Sequence, residues 1–144
     1  LIQRVSQANV KINEKIISEI QQGLLILICA MAEDTEIEAE QMASKISKIR
    51  IFNDENGKMN KSIKDIEGEA LVVSQFTLAA DTSRGNRPGF SYAAHPEKGE
   101  KLYEYFTTKL QDMDINCKMG VFGGDMEVSL INDGPTTIWL DNKD

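Results

Sequence analysis

With 144 residues, 41 % apolar and 27 % charged, the chain suits one globular domain over residues 1–144 rather than a disordered segment. Its net charge of −7 excludes broad wrapping of a nucleic-acid duplex, which needs many phosphate contacts from Lys and Arg, so DNA is not an expected partner. A local basic patch that grips one end of an RNA stays compatible with that charge.

The first twenty residues alternate apolar and polar side chains through Leu1, Val5, Ala8, Val10, Ile12, Ile16 and Ile20. Breaks at Gln7-Ala8-Asn9 and Asn13-Glu14 predict short antiparallel strands with tight turns. After Gly23, the run Leu24 to Ala30 reads as a strand buried on both faces. The whole apolar run, Leu24 to Ala32, is nine residues, too short for a membrane-crossing helix. No basic segment with a small-residue cleavage site precedes it, so no secretory signal and a cytoplasmic location are expected. Leu1 is not methionine, so a few residues are expected to precede it. Cys29, within the run, is expected to be a small core residue, and no disulfide to Cys117 is expected in a cytoplasmic chain.

Thr35 and Glu38 have the capping-box spacing, and Ala39, Met42, Ala43, Ile46 and Ile49 follow at helical spacing. Asn53 to Gly57 is a turn, and Met59 to Ile63 a short strand. A stronger strand runs from Glu69 to Leu78, followed by an aperiodic loop from Ala79 to Ala94. Pro96 opens a second helix whose buried face carries Leu102, Tyr103, Phe106 and Leu110. Ile115 to Val121, Met126 to Ile131 and Thr136 to Leu140 close the chain as strands, broken by Gly123-Gly124 and Asp133-Gly134-Pro135. The pattern predicts an α+β fold, with an antiparallel, barrel-like sheet and two main helices in a single domain.

The familiar catalytic sets are missing. His95 is the only histidine, which rules out a multi-histidine zinc site, and neither a metal nor another cofactor is expected. Its place before Pro96 suits a cap or surface residue better than a general base. No phosphate loop or dinucleotide fingerprint occurs. Three segments carry chemistry instead, although each alone also suits a plain structural role. Ser74-Gln75-Phe76-Thr77-Leu78 offers hydroxyls and an amide able to orient a carbonyl. Arg84-Gly85-Asn86-Arg87-Pro88-Gly89-Phe90 combines two guanidiniums with an aromatic, fit for phosphates and an unstacked base. Asn132-Asp133-Gly134-Pro135-Thr136-Thr137 is either a tight turn or a fixed backbone that presents carbonyls to a ligand.

Together, the first and third segments closely resemble the two signature motifs of the D-aminoacyl-tRNA deacylase family. The opening Leu1 to Ala8 and the loop Arg84 to Pro88 resemble the same family, so the likeness covers essentially the whole chain. Thr136 departs from the Val usual after Gly-Pro, a nearly isosteric change. The resemblance implies hydrolysis of the ester between a D-amino acid, or glycine, and the terminal ribose of tRNA. It also implies a homodimer in which Gly134 and Pro135, joined by a cis bond, enter the partner's site and reject L side chains. Ser74 and Phe76 would line the ester-binding side with the candidate catalytic residues Gln75 and Thr77. Phe122 and Met126 lie at spacings that match family pocket residues, and Arg87, with Arg84 and Lys98, would meet the acceptor end. For the nucleophile, the resemblance favours water activated by the RNA's own 2′-hydroxyl over an acyl-enzyme on Thr77. A non-catalytic module that binds the tRNA acceptor end, or a metal-free esterase on small D-amino-acid esters, are the competing expectations.

Overall fold

The computed structural model describes residues 1–143. Strand β1 (Ile2–Ile12) is the spine of the sheet, because three strands pair with it. β2 (Lys15–Ile20) returns antiparallel through Asn13 and Glu14, both at positive φ. β3 (Gly23–Ile28) pairs with the first half of β1, and β8 (Glu127–Ile138) runs along its other edge. β6 (Glu69–Ser74) then lies parallel to β3, and β7 (Asn116–Met119) parallel to β6. A hydrogen bond of 2.5 Å from the Ser18 hydroxyl to Met119 O draws β2 and β7 together, so the sheet nearly closes on itself.

The sheet is therefore mixed, where the sequence pattern led us to expect antiparallel pairing throughout. The reason is connectivity. Helix α1 (Glu36–Lys48) and the small hairpin of β4 (Phe52–Asn53) and β5 (Met59–Lys61) separate β3 from β6. Helix α2 (Pro96–Asp112) separates β6 from β7. Long crossovers of this kind bring the chain back in the same direction, and parallel pairing follows. α1 carries the full capping box at Thr35 and Glu38, and α2 starts on Pro96 as expected. Leu102, Tyr103, Phe106 and Leu110 of α2 are buried against Leu24, Ile26, Ala70 and Val72 of the sheet and Ala43 and Ile46 of α1. A second cluster, built on Val5, Ala8, Val10, Ile20, Leu25, Leu71 and Val73, fills the barrel side.

Four local expectations need correction. β1 continues unbroken through Gln7-Ala8-Asn9, because a bulge between Val5 and Gln7 shifts its facing without ending its pairing. β6 stops at Ser74, and Phe76–Ala79 form one turn of 3₁₀ helix, since β3 ends at Ile28 and offers no pairing beyond Ser74 and the Gln75 N–H. Cys29 is only half-buried, because it lies where β3 has already left the core. Finally, the two last predicted strands are one. Gln3 pairs with Thr137 and Val5 with Asn132, so Arg4 alone faces the four residues Asp133 to Thr136. Those four bulge out of β8, and the Gly134–Pro135 peptide within them is cis. Asn132 holds the bulge at its base, its amide donating to Thr137 Oγ1 at 2.9 Å and its carbonyl oxygen accepting from Thr136 N at 2.9 Å.

Candidate active site

Parallel β3 and β6 end side by side, with Ile28 opposite Ser74 and Gln75 N–H donating to Ile28 O at 2.8 Å. A cavity of about 880 Å³ opens at these carboxyl ends, where chain segments diverge and leave room for a ligand. Ser74, Gln75 and Phe76 line one side. Phe122 and Met126, from the loop between β7 and β8, line another. Met31, Ala94 and His95 complete the rim, which the β3–α1 loop and the start of α2 provide. His95 occupies the N-cap position of α2 without a side-chain capping bond, in keeping with a surface role.

Two residues of the first motif face each other. The Gln75 amide nitrogen donates to Thr77 Oγ1, and the Thr77 hydroxyl has neither a histidine nor a carboxylate as its hydrogen-bond partner. An unactivated hydroxyl of this kind is a weak nucleophile but a good orienting group. Phe76 is 55 % exposed, an unusual state for a phenylalanine, and its ring meets Phe90 edge to face at 5.0 Å. Arg84 and Arg87 sit in the exposed loop next to Phe90 and make no ion pair among the described residues. Lys98 is instead committed to Ala32 O at 2.6 Å, tying α2 to the β3–α1 loop. Cys29 also lines the cavity, and burial, followed by the negative charge of Asp34, pushes its thiol above the ordinary range. It is therefore a neutral thiol at pH 7, poorly suited to nucleophilic work.

Gly134 and Pro135 lie outside the cavity of their own chain. The bulge that carries them is held by Arg4, whose guanidinium is buried. Its Nε donates to Asp133 O at 2.9 Å and its Nη1 to Ile51 O at 2.7 Å. Gly134 has a φ of +141°, and a Cβ there would fall 2.5 Å from Thr136 Oγ1 and 2.8 Å from Thr136 N. Only glycine suits that position. Sequence reasoning left Arg4 out as a functional residue. The usable signal was a charged side chain in an inward slot, two positions from the buried Ile2. Met31 was missed because it stands out neither by residue type nor by spacing.

The fold and cavity define a single-domain α+β barrel with a largely apolar cleft, edged by Ser74 and Gln75, at its parallel strand ends. A solved structure named c-Myc DNA Unwinding Element Binding Protein superposes with a TM-score of 0.92 at 40 % identity, covering 98 % of this chain and 96 % of that one. A probable eukaryotic D-amino acid tRNA deacylase shares the fold, with a TM-score of 0.79 at 15 % identity and 92 % coverage of both chains. The family model for D-Tyr-tRNA(Tyr) deacylase matches residues 1–141. D-aminoacyl-tRNA deacylases of Jannaschia sp. and Ruegeria pomeroyi are 59 % and 57 % identical, over 99 % and 98 % of this chain and 97 % of each relative. The chain belongs to the D-aminoacyl-tRNA deacylase family.

Proposed function

We propose that this chain hydrolyses D-aminoacyl-tRNA, and glycyl-tRNA on non-cognate tRNA, as a homodimer whose Gly134–Pro135 bulge rejects L-amino acids. The observation that carries the proposal is the convergence of Ser74, Gln75 and Phe76 with Phe122 and Met126 on one cavity, in a chain of this family. The ester would lie against Ser74 and Gln75, with Thr77, which does not itself line the cavity, holding the Gln75 amide, and with Gln75 and main-chain N–H groups facing the developing oxyanion. Positioning and polarisation by such groups supply much of the rate without a protein nucleophile. The exposed Phe76, backed by the half-buried Phe90, offers a face for an unstacked base, and Arg84 and Arg87 offer charge for a few phosphates. A net charge of −7 suits so restricted a contact and opposes broad duplex binding.

The position of the second motif supports the homodimer reading. Gly134 and Pro135 do not line their own cavity, and β8 and its end expose Ile131 and Trp139 by 51 % and 56 %. A partner's bulge entering the cavity would set main-chain atoms where an L side chain points, while a D side chain or a glycine hydrogen escapes. Light scattering on the purified protein should give twice the chain mass. An active monomer would refute the cross-subunit filter.

Two further outcomes are expected. Exhaustive chelation should leave deacylation unchanged, since no three His, Cys, Asp or Glu residues converge among the described residues. A loss restored only by added zinc would overturn this. Thr77→Ala should keep measurable activity and the unmodified protein should accumulate no acyl-enzyme, whereas Gln75→Ala should lower kcat by about 10- to 100-fold with a smaller change in KM. Mass spectrometry that traps a D-aminoacyl adduct on Thr77 would reverse these roles.

A further inference from the structure

We infer that Tyr103 is a positioning residue of the deacylation site, its hydroxyl tying together the two segments that wall the cavity. The inference rests on that cavity being the place where the ester is held. Tyr103 is buried on α2, and its hydroxyl lies 3.0 Å from Val72 O and 3.2 Å from Gly120 O. Val72 stands two residues before Ser74, and Gly120 two residues before Phe122. Gly120 N–H also donates to Val72 O at 3.0 Å, just past the last β6–β7 pair, Val72 with Met119. The phenol therefore caps the sheet at the point where both strands give way to the site.

The far wall is registered to the same point. The Phe122 ring lies 6.0 Å from the Tyr103 ring, and the Val121 N–H points to Met126 Sδ at 3.4 Å. A Cβ on Gly120 would stand 2.8 Å from that sulfur, so Met126 is seated directly on the Gly120 backbone. Among the described residues, Tyr103 is the side chain bonded to both Val72 O and Gly120 O. Phenylalanine would fill the same space, so packing alone does not account for a buried hydroxyl that must find partners. Burial pushes the phenol up to about 12, which keeps it a donor across the neutral range.

Tyr103→Phe keeps the ring against Phe122 and removes only the bridge. With D-Tyr-tRNA we expect kcat to fall about 5- to 20-fold while KM stays within about two-fold, the pattern of misplaced reacting groups. Leu110→Val, in the same helix but further from the cavity, should lower the thermal midpoint yet keep kcat. An unchanged kcat in Tyr103→Phe, or an equal loss in Leu110→Val, would overturn the inference. A protein with 2,3,5-trifluorotyrosine at position 103 retains the ring shape with a more acidic phenol. Its kcat should fall with rising pH, at constant folded fraction by circular dichroism, over a range where the unmodified protein is flat; matching profiles would also overturn the inference. Phe122→Ala and Gln75→Ala separate this test from its premise. If both deacylate at the unmodified rate, the cavity assignment fails and takes this inference with it. If both are impaired and Tyr103→Phe is not, only the positioning role fails.

Discussion

Gly134→Ala is expected to reduce the preference for D-Tyr-tRNA over L-Tyr-tRNA, as a ratio of kcat/KM, by about 100-fold, equivalent to about 2.7 kcal/mol. At a φ of +141° an L residue is strained whatever space surrounds it. Here there is also no space, because the new methyl would stand 2.5 Å from Thr136 Oγ1, 2.8 Å from Thr136 N and 3.1 Å from Arg4 Nη2. Two of these obstacles belong to the same short bulge, so the main chain itself must move. The proposed filter, made of main-chain atoms, would depend steeply on their position, and a shift of several tenths of an ångström would remove the clash proposed to reject an L side chain. Stability should also fall, by about 1–3 kcal/mol. The two kcat/KM values, measured on a variant that is still folded, check the expectation. An unchanged ratio would remove the bulge from chiral selection.

Arg4→Ala should act on the same bulge from below and cost more stability. It removes the donors to Asp133 O and to Ile51 O, the latter in a buried residue that water reaches poorly. The companion ion pair to Asp133 Oδ2, at 3.6 Å, adds little because the Asp133 side chain is 55 % exposed. A loss of about 2–4 kcal/mol follows from the unmet Ile51 carbonyl together with the packing lost with the buried guanidinium. In a chain of this size that is a fall of roughly 6–15 °C in the thermal midpoint. Discrimination should relax as well, because Arg4 alone faces the bulge from β1. Arg4→Lys should recover only part of either effect, since a single ammonium cannot hold two divergent carbonyls in fixed geometry. Thermal melts and the D-to-L ratio report on the two effects separately. A variant as stable and as selective as the unmodified protein would contradict the assignment.

Local signals were the most legible part of the sequence. Thr35 with Glu38, Pro96, and the stripe Leu102, Tyr103, Phe106 and Leu110 each act within a few residues, and each appears in place. Pairing direction was not legible, because parallel and antiparallel neighbours bury the same Val, Ile and Leu and differ only in what connects them. The end of β6 was misplaced for a related reason. Gln75 to Leu78 contain β-compatible residues, and only the departure of the sheet turns them into 3₁₀ helix.

The site was legible by resemblance more than by chemistry. Ser74, Gln75, Phe76, Phe122 and Met126 come from two separate segments of the chain and share one cavity. Nothing in residue spacing alone could bring Phe122 to Gln75, since that proximity depends on the parallel pairing of β6 with β7. Supporting residues were harder still. Arg4 and Tyr103 act through backbone carbonyls, which any residue supplies, so their partners carry no mark in the sequence.

The central claim is an ester hydrolase that accepts D-amino acids and glycine and rejects L-amino acids. Its most direct test is the initial rate of deacylation of D-Tyr-tRNA, glycyl-tRNA and L-Tyr-tRNA, measured side by side at equal enzyme and corrected for spontaneous hydrolysis. The account predicts rapid release of D-tyrosine and glycine, with L-Tyr-tRNA at least about 100-fold slower, a gap of some 2.7 kcal/mol in transition-state binding. Hydrolysis of L-Tyr-tRNA at the rate of D-Tyr-tRNA would contradict it.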